Sequence, residues 1–170
     1  MNIILETPRL ILREFTEEDA LLVLQLNSLH EVLKYVHEPR LETEEEARQI
    51  LVNIILPQYR NKLGRWATFT KENNEFVGWC GLKYVAESDE IDLGYRFLPA
   101  AWGKGYATES ADHTLEYGLH KLKLKSITAR AHVENLASLK VLEKIGMSWV
   151  NDEIFDGCPV RTFISERQAK

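Results

Sequence analysis

The 170-residue sequence contains only two cysteines, Cys80 and Cys158, and their spacing matches neither a disulfide framework nor a zinc motif. No apolar run approaches the roughly 18 residues that a membrane span requires. The five histidines show no metal-ligand spacing, so no metal is predicted. The first 15 residues include four charged side chains and therefore lack the apolar core of a signal peptide. These absences predict a cytoplasmic protein with free thiols and no membrane partner.

Neither sign of charge dominates the chain. There are 26 acidic and 21 basic residues, which give a net charge of −5 and make a general nucleic-acid surface improbable. A composition of 45% hydrophobic and 28% charged residues is ordinary for a globular protein. We find no repeat, low-complexity tract or linker, and therefore expect one domain over residues 1–170.

Periodicity predicts strands alternating with helices. The predicted strands cover residues 10–15, 66–71, 75–85, 91–97, 126–133, 148–155 and 160–165. Helices are predicted over 20–26, 43–55, 106–121 and 136–145. Thr16 with Asp19, and Thr43 with Glu46, resemble capping boxes at the first two helix starts, and Pro57 is predicted to end or kink the second. This order predicts an α/β fold with a mixed sheet of about seven strands and helices on its faces.

The most informative segment runs from Leu98 to Glu109 and reads Leu-Pro-Ala-Ala-Trp-Gly-Lys-Gly-Tyr-Ala-Thr-Glu. It follows a predicted strand and opens a predicted helix, with glycines at 103 and 105. Glycine permits unusual backbone angles and lets a ligand approach the chain closely. The first turn of the helix adds unpaired N–H groups and a positive dipole end. Together these features predict an anion site for a phosphate or pyrophosphate.

Two familiar phosphate loops do not fit this segment. The dinucleotide fingerprint requires a third glycine or alanine, with an acid about 20 residues further on. Here Thr108 takes the third position, and the next acid at a strand end, Glu134, lies too far along. The Walker loop requires Gly-Lys-Ser or Gly-Lys-Thr, which the Gly-Lys-Gly at 103–105 does not provide. Taken alone, the two glycines are also compatible with a structural turn before a helix.

A second segment, Asn135–Met147, follows another predicted strand and has a helix N-cap at Asn135 and a stop at Gly146. The patterns Pro-x-x-Trp-Gly-Lys-Gly-Tyr-Ala-Thr-Glu and Asn-x-x-Ser-x-x-Val-Leu-Glu-Lys-Ile-Gly resemble the GNAT superfamily of acyl-CoA N-acyltransferases. The opening Glu-Thr-Pro-Arg-Leu-Ile-Leu-Arg, at 6–13, resembles the branch of ribosomal-protein N-acetyltransferases that includes RimJ and RimL. The resemblance covers roughly residues 5–165, with all three motifs in the family's order.

The resemblance implies the GNAT fold, in which two central parallel strands splay apart, here matched to 91–97 and 126–133. It also implies acetyl-CoA as co-substrate. Backbone groups of Phe97 and Leu98 would then meet the pantetheine arm, and Asn135 and Ser138 would reach the pantetheine and the sulfur. The side chain of Lys104 is either a phosphate partner or solvated. The residues assigned to the pyrophosphate are Gly103, Lys104, Gly105, Tyr106, Ala107 and Thr108.

Two positions depart from the family pattern. The usual Gln or Arg three residues before the first glycine is Ala100. Many members place a tyrosine, the proton donor to the leaving thiolate, four residues before the glycine that ends the last helix. That position is Leu142 here. Ser138 is the best remaining donor, and water is the alternative.

The implied reaction is direct attack of a neutral amine on the thioester, without a covalent enzyme intermediate. A backbone N–H near Phe97 or Leu98 would stabilise the oxyanion. Glu90 and Asp92 occupy alternate positions of one strand and share a face, so either could relay the proton of the amine. Asp92 is favoured because it lies nearer the glycine loop. The alternative is that both acids are simply solvated.

The acceptor is predicted to be a protein N-terminal α-amine or a small-molecule amine. A non-catalytic acyl-CoA-binding sensor is the main alternative, and it would bind the cofactor without turning over any amine. A nicotinamide-dependent oxidoreductase would need the missing third glycine, and an interaction module would not need three ligand motifs. Both a monomer and a homodimer are compatible with the sequence.

Overall fold

An eight-stranded mixed sheet forms the centre of the computed structural model, which describes residues 2–168. Its strands are β1 Ile3–Glu6, β2 Leu10–Glu14, β3 Gly64–Thr70, β4 Phe76–Val85, β5 Glu90–Phe97, β6 Ser126–His132, β7 Ser148–Phe155 and β8 Cys158–Glu166. They lie in the order β1-β2-β3-β4-β5-β6-β8-β7. Every neighbouring pair is antiparallel except β5 and β6, which are parallel.

Two helix ends show the signals that the sequence carries. They are α1 Ala20–Asn27, α2 His30–Leu33, α3 Glu44–Ile50, α4 Leu56–Gln58, α5 Tyr106–Glu116 and α6 Leu136–Lys144. Before α3, the Thr43 hydroxyl accepts from the Glu46 N–H at 3.1 Å, and the Glu46 carboxylate accepts from the Thr43 N–H at 2.9 Å. After α6, Gly146 takes a φ of 88° and stops the helix. In the described part of the chain, no helix has both the length and the apolarity to cross a membrane.

Three segments differ from the prediction. The short helix α2 was not predicted, because its N-cap, Leu29, carries no capping side chain. Strand β1 was not predicted, because its four residues at the sheet edge are too few to show an alternation. It raises the number of strands from about seven to eight. The chain also stays helical past Pro57, because a π-helical segment, Leu51–Ile55, leads into α4. Pro57 cannot donate a helical hydrogen bond, and it lies where the π-helical segment gives way to α4.

The sheet separates two apolar cores, one on each face. Alternation along β4 places Trp79 in the core beneath α1 and α3 and places Cys80 in the core beneath α5 and α6. The core beneath α5 and α6 is centred on Trp66, Leu142 and Phe163, which are at most 1% exposed. Helices therefore cover both faces, as predicted, and the open part of the sheet lies between two of its central strands.

The parallel strands β5 and β6 pair at Asp92 and Leu93 and then diverge. β5 continues to pair with β4 as far as Phe97, and β6 continues to pair with β8 as far as His132. The N–H and C=O groups of successive strand residues point to alternate edges of the strand. Those of Leu93, Tyr95 and Phe97 therefore all point towards β6. Beyond Leu93 those groups face an opening in the sheet instead of a partner strand. This is the splayed pair that the family resemblance implied.

Candidate active site

The glycine loop has the geometry of an anion site. Gly103 and Gly105 have φ angles of 75° and 81°, in the left-handed region that favours glycine. The carbonyl of Gly105 accepts the first bond of α5, from the Glu109 N–H at 3.0 Å. The N–H groups of residues 106–108 therefore have no acceptor within the helix. A Cβ built on Gly103 meets no atom within 4 Å, so the loop faces open space.

The segment before β2 holds this loop in place. Arg9 donates from Nη1 to the Lys104 carbonyl at 2.7 Å and from Nε to the Glu109 carboxylate at 2.8 Å. Its guanidinium also lies 4.7 Å from the centre of the Tyr106 ring, and the Thr7 hydroxyl donates to Glu109. Burial alone would raise the pKa of Glu109, but the hydrogen bonds from Thr7 and Arg9 outweigh burial and lower it. No local pattern predicts this contact, because 100 residues separate Arg9 from Glu109.

The backbone at the end of β5 differs from the prediction at Leu98. The Leu98 N–H donates to the Val77 carbonyl on β4 at 2.9 Å, and the Leu98 carbonyl accepts from the Ala101 N–H at 2.9 Å. Leu98 therefore offers no free N–H to a pantetheine arm or an oxyanion, against the prediction. The Phe97 carbonyl accepts from the Trp102 indole at 2.9 Å. This leaves the Phe97 N–H as the predicted donor that points into the opening.

Ser138 lies at the start of α6 and is paired with a tyrosine that the sequence analysis did not single out. The Asn135 side chain caps the helix as predicted and accepts from the Ser138 N–H at 3.3 Å. The Ser138 hydroxyl lies 2.7 Å from the phenol oxygen of Tyr95 on β5. Burial raises the pKa of Tyr95, so its phenol stays protonated at neutral pH. Leu142, at the usual tyrosine position, is buried in the core.

Glu90 and Asp92 project from the other face of β5 and share one arginine. The Arg130 guanidinium lies 2.8 Å from a Glu90 oxygen, 3.8 Å from an Asp92 oxygen and 3.0 Å from a Glu153 oxygen. Burial raises the pKa of Asp92 to about 7, although the attraction of Arg130 opposes this shift. Glu90 makes the closer ion pair, which protonation would break. Asp92 is therefore the better candidate for accepting a proton near neutral pH.

The segment between α1 and α3 closes over the face of β5 that bears Asp92. Arg96 on this face donates to the Asn27 side chain and to the Glu38 carboxylate, the latter at 2.6 Å. His37 Nδ1 lies 3.3 Å from the Asp156 carbonyl in the turn between β7 and β8. The interhelix segment therefore contacts both this turn and the face of β5 that bears Arg96.

Cys80 is not placed for covalent catalysis. Burial raises the pKa of the Cys80 thiol to about 11, and its sulfur lies 3.4 Å from the Thr114 hydroxyl beneath α5. A buried thiol of this kind is a poor nucleophile. Cys158 on β8 is also unpaired. Within residues 2–168, no three His, Cys, Asp or Glu side chains are grouped as metal ligands.

Comparison with known proteins gives a consistent assignment. The family model of the GNAT acetyltransferase domain matches residues 9–148. The N-acetyltransferase YoaA of Bacillus subtilis strain 168 is 32% identical over 145 residues, which are 84% of this chain and 81% of YoaA.

Solved structures share the fold over almost the whole chain. The GNAT acetyltransferase of Bacillus anthracis superposes with a TM-score of 0.81 at 28% identity, covering 97% of this chain and 98% of that one. RimL, a ribosomal L7/L12 α-N-protein acetyltransferase solved with coenzyme A, has a TM-score of 0.83 at 18% identity, with 97% and 98% coverage. These matches confirm the predicted GNAT fold. The chain therefore belongs to the GNAT family and is an acetyl-CoA-dependent acyltransferase.

Proposed function

We propose that this protein transfers the acetyl group of acetyl-CoA directly to a primary amine, with Asp92 as the base. The observation that carries the proposal is the arrangement of β5 where the sheet opens. Asp92 projects from one face of this strand, and Tyr95 projects from the other face towards Ser138. An amine would approach from the Asp92 face, and the sulfur would leave on the Ser138 face.

The loop at 103–108 would bind the pyrophosphate through its backbone N–H groups, with Lys104 as a further partner. The strand edge at Phe97 and the start of α6 at Asn135 would bind the pantetheine arm, as in strand addition. Bound acetyl-CoA supplies the thioester carbon. The open space before Gly103 and the unpaired edge of β5 fit such a ligand.

The chemistry forms one C–N bond and breaks one C–S bond. Asp92 accepts the proton that the amine must lose, directly or through water. A free N–H on the open edge of β5 stabilises the carbonyl oxygen as it becomes negative. That of Tyr95 lies nearer to Asp92 than that of Phe97, which is roughly 16 Å along the strand from Asp92. Ser138 donates a hydrogen bond to the departing sulfur, and Tyr95, which stays protonated, donates in turn to the Ser138 oxygen. The thiolate finally takes its proton from solvent.

The pKa of Asp92 favours an α-amine or a similarly weak base as acceptor. Moving a proton from an α-ammonium, with a pKa near 8, to a carboxylate of pKa about 7 costs roughly 1.4 kcal/mol. The same transfer from a lysine ammonium, with a pKa near 10.4, costs about 4–5 kcal/mol. We therefore propose a protein N-terminus or a small amine as acceptor, with α-amines preferred to lysine side chains.

Thiol release from acetyl-CoA, measured across a panel of amines, tests this function. We expect turnover with peptides that have a free N-terminus or with small α-amines. Peptides with a blocked N-terminus and a free lysine are the matched control and should react much more slowly. Binding of acetyl-CoA without turnover of any amine would refute the proposal and favour a non-catalytic sensor.

We also propose that the chain acts as one domain over residues 1–170, in the cytoplasm, as a monomer or homodimer. The unpaired thiols of Cys80 and Cys158 support a reducing compartment. Light scattering at the protein's working concentration would determine the oligomeric state.

A further inference from the structure

A small cavity lies on the Asp92 face of the sheet, where two glycines are paired across neighbouring strands. Gly81 on β4 is opposite Gly94 on β5, and Arg65 on β3 is opposite Gly81. The missing side chains leave a space of about 40 Å³ above the strands. Its lining residues are Arg65, Trp79, Gly81, Lys83, Asp92 and Gly94. A Cβ on Gly94 would come within 3.3 Å of the Trp79 ring, so a side chain there would narrow the cavity.

The guanidinium of Arg65 borders this cavity without a hydrogen-bond or ion-pair partner among the described residues. It stacks 4.9 Å from the centre of the Trp79 ring. Among residues 2–168, no carboxylate lies within 4.0 Å of Arg65 or Lys83, and neither side chain donates a hydrogen bond. Arg96, on the same sheet face, is by contrast paired with Glu38 at 2.6 Å. The planar fork of N–H donors on Arg65 is therefore available to a ligand, and its shape matches a carboxylate.

The charges around the cavity are arranged in two groups. At one end, the carboxylates of Glu90, Asp92 and Glu153 share the single cation of Arg130. At the other end lies Arg65, with Lys83 between it and Asp92. In the described residues neither cation has a carboxylate within ion-pair distance, and Glu38 and Asp92 attract both at longer range. A ligand with an ammonium near Asp92 and an anion near Arg65 would complement both ends.

We infer that the acceptor carries a carboxylate close to its amine, and that Arg65 and Lys83 bind this carboxylate. The inference rests on the proposed function, because Asp92 marks where the amine lies. Lys83 and Asp92 are direct cross-strand partners, and Arg65, one strand further on, lines the same small cavity as both. Binding groups that line one small cavity suit an amine and a carboxylate joined by a few bonds, as in an amino acid.

Matched acceptors test this inference on the unmodified protein. Thiol release is measured with an amino acid, with its C-terminal amide, and with a peptide that has a free N-terminus and an acidic second residue. Rates are compared per neutral amine, because amidation lowers the amine pKa. We expect the amino acid or the acidic peptide to exceed the amide by about tenfold or more in kcat/KM. The better of these two acceptors identifies the source of the carboxylate.

Variants then locate the effect. Arg65→Gln should raise KM for the carboxylate acceptor about tenfold or more, leave KM for the amide unchanged and leave KM for acetyl-CoA unchanged. Arg60→Gln, at an exposed arginine before β3, is the matched control. If Arg65→Gln does not fold, Arg65→Lys is measured in its place. Inhibition of the unmodified enzyme by its acetylated products then gives a second test. The N-acetyl amino acid should inhibit about tenfold more strongly than its amide.

The outcomes separate this inference from the proposed function. If the amino acid, the acidic peptide and the amide are acetylated with equal kcat/KM, the carboxylate site is refuted. The proposed acetyl transfer is not affected by that result. Equal inhibition by the two acetylated products also overturns the carboxylate site. Absence of turnover with every amine overturns the proposed function itself.

Discussion

Replacing Tyr95 by phenylalanine tests whether the hydroxyl pair on β5 and α6 assists departure of the sulfur. The substitution removes one oxygen and leaves the ring in the core. It deletes the 2.7 Å contact with the Ser138 hydroxyl, and loss of one such hydrogen bond costs about 1 kcal/mol. For a chain of this size, that lowers Tm by roughly 2–4 °C. The variant should therefore fold, and its activity can be measured.

We expect Tyr95→Phe to lower turnover roughly tenfold or more, with little change in KM for acetyl-CoA. Ser138→Ala should lower turnover by a similar factor, because Tyr95 acts on the sulfur only through the Ser138 hydroxyl. The double variant should then lose little more than the worse single variant. Independent contributions would instead multiply to about a hundredfold loss.

The measurement is single-turnover thiol release with saturating acetyl-CoA, so that product release does not hide the chemical step. Tyr84→Phe is the matched control, since this tyrosine is exposed and bonded to Asp89. Multiplicative losses in the double variant would refute the coupled pair. Unchanged turnover in Tyr95→Phe would show that the phenol does not assist departure of the sulfur. Unchanged turnover in Ser138→Ala would show that water protonates the sulfur.

Two further changes probe the base and the cofactor loop. Unmodified turnover should rise with pH as Asp92, with a pKa of about 7, loses its proton. Asp92→Asn should therefore lose most activity below pH 7.5 and less at pH 9, where an α-amine is already neutral, and a pH-independent loss would contradict its role as base. Gly105→Val should abolish most coenzyme A binding in calorimetry, because φ is 81° and the added Cβ would lie 3.2 Å from Arg9. Gly146→Val, also left-handed but outside the loop, is its control, and unchanged affinity in Gly105→Val would remove the basis for the site.

Features that depend on a few neighbouring residues could be predicted from the sequence. The capping pair of Thr43 and Glu46 and the helix stop at Gly146 each act within one turn of the chain. The final hairpin turns at Asp156 and Gly157, with φ angles of 52° and 77°, between the strands predicted over 148–155 and 160–165. The glycine loop was recognised for the same reason, since strand, turn and helix start are consecutive.

Contacts between distant residues could not be predicted in this way. Tyr95 meets Ser138 across 43 positions, and periodicity shows only that Tyr95 points inward. The error at Leu98 has a related cause. Which edge of β5 its N–H faces depends on the register with β4, and an alternating pattern fixes the face of a side chain without fixing that register.

The hydrogen bonds between Arg9 and Glu109 make the segment before β2 necessary for the position of the glycine loop. The matched family segment starts at residue 9, yet Thr7 hydrogen-bonds the same Glu109 carboxylate. A chain trimmed to residues 9–148 would keep the glycine loop and lose both Thr7 and the outer hairpin that pairs with β6. Trimming or fusion near residue 7 should therefore weaken cofactor affinity at a loop about a hundred residues away. The N-terminal segment is in this sense a part of the proposed cofactor site.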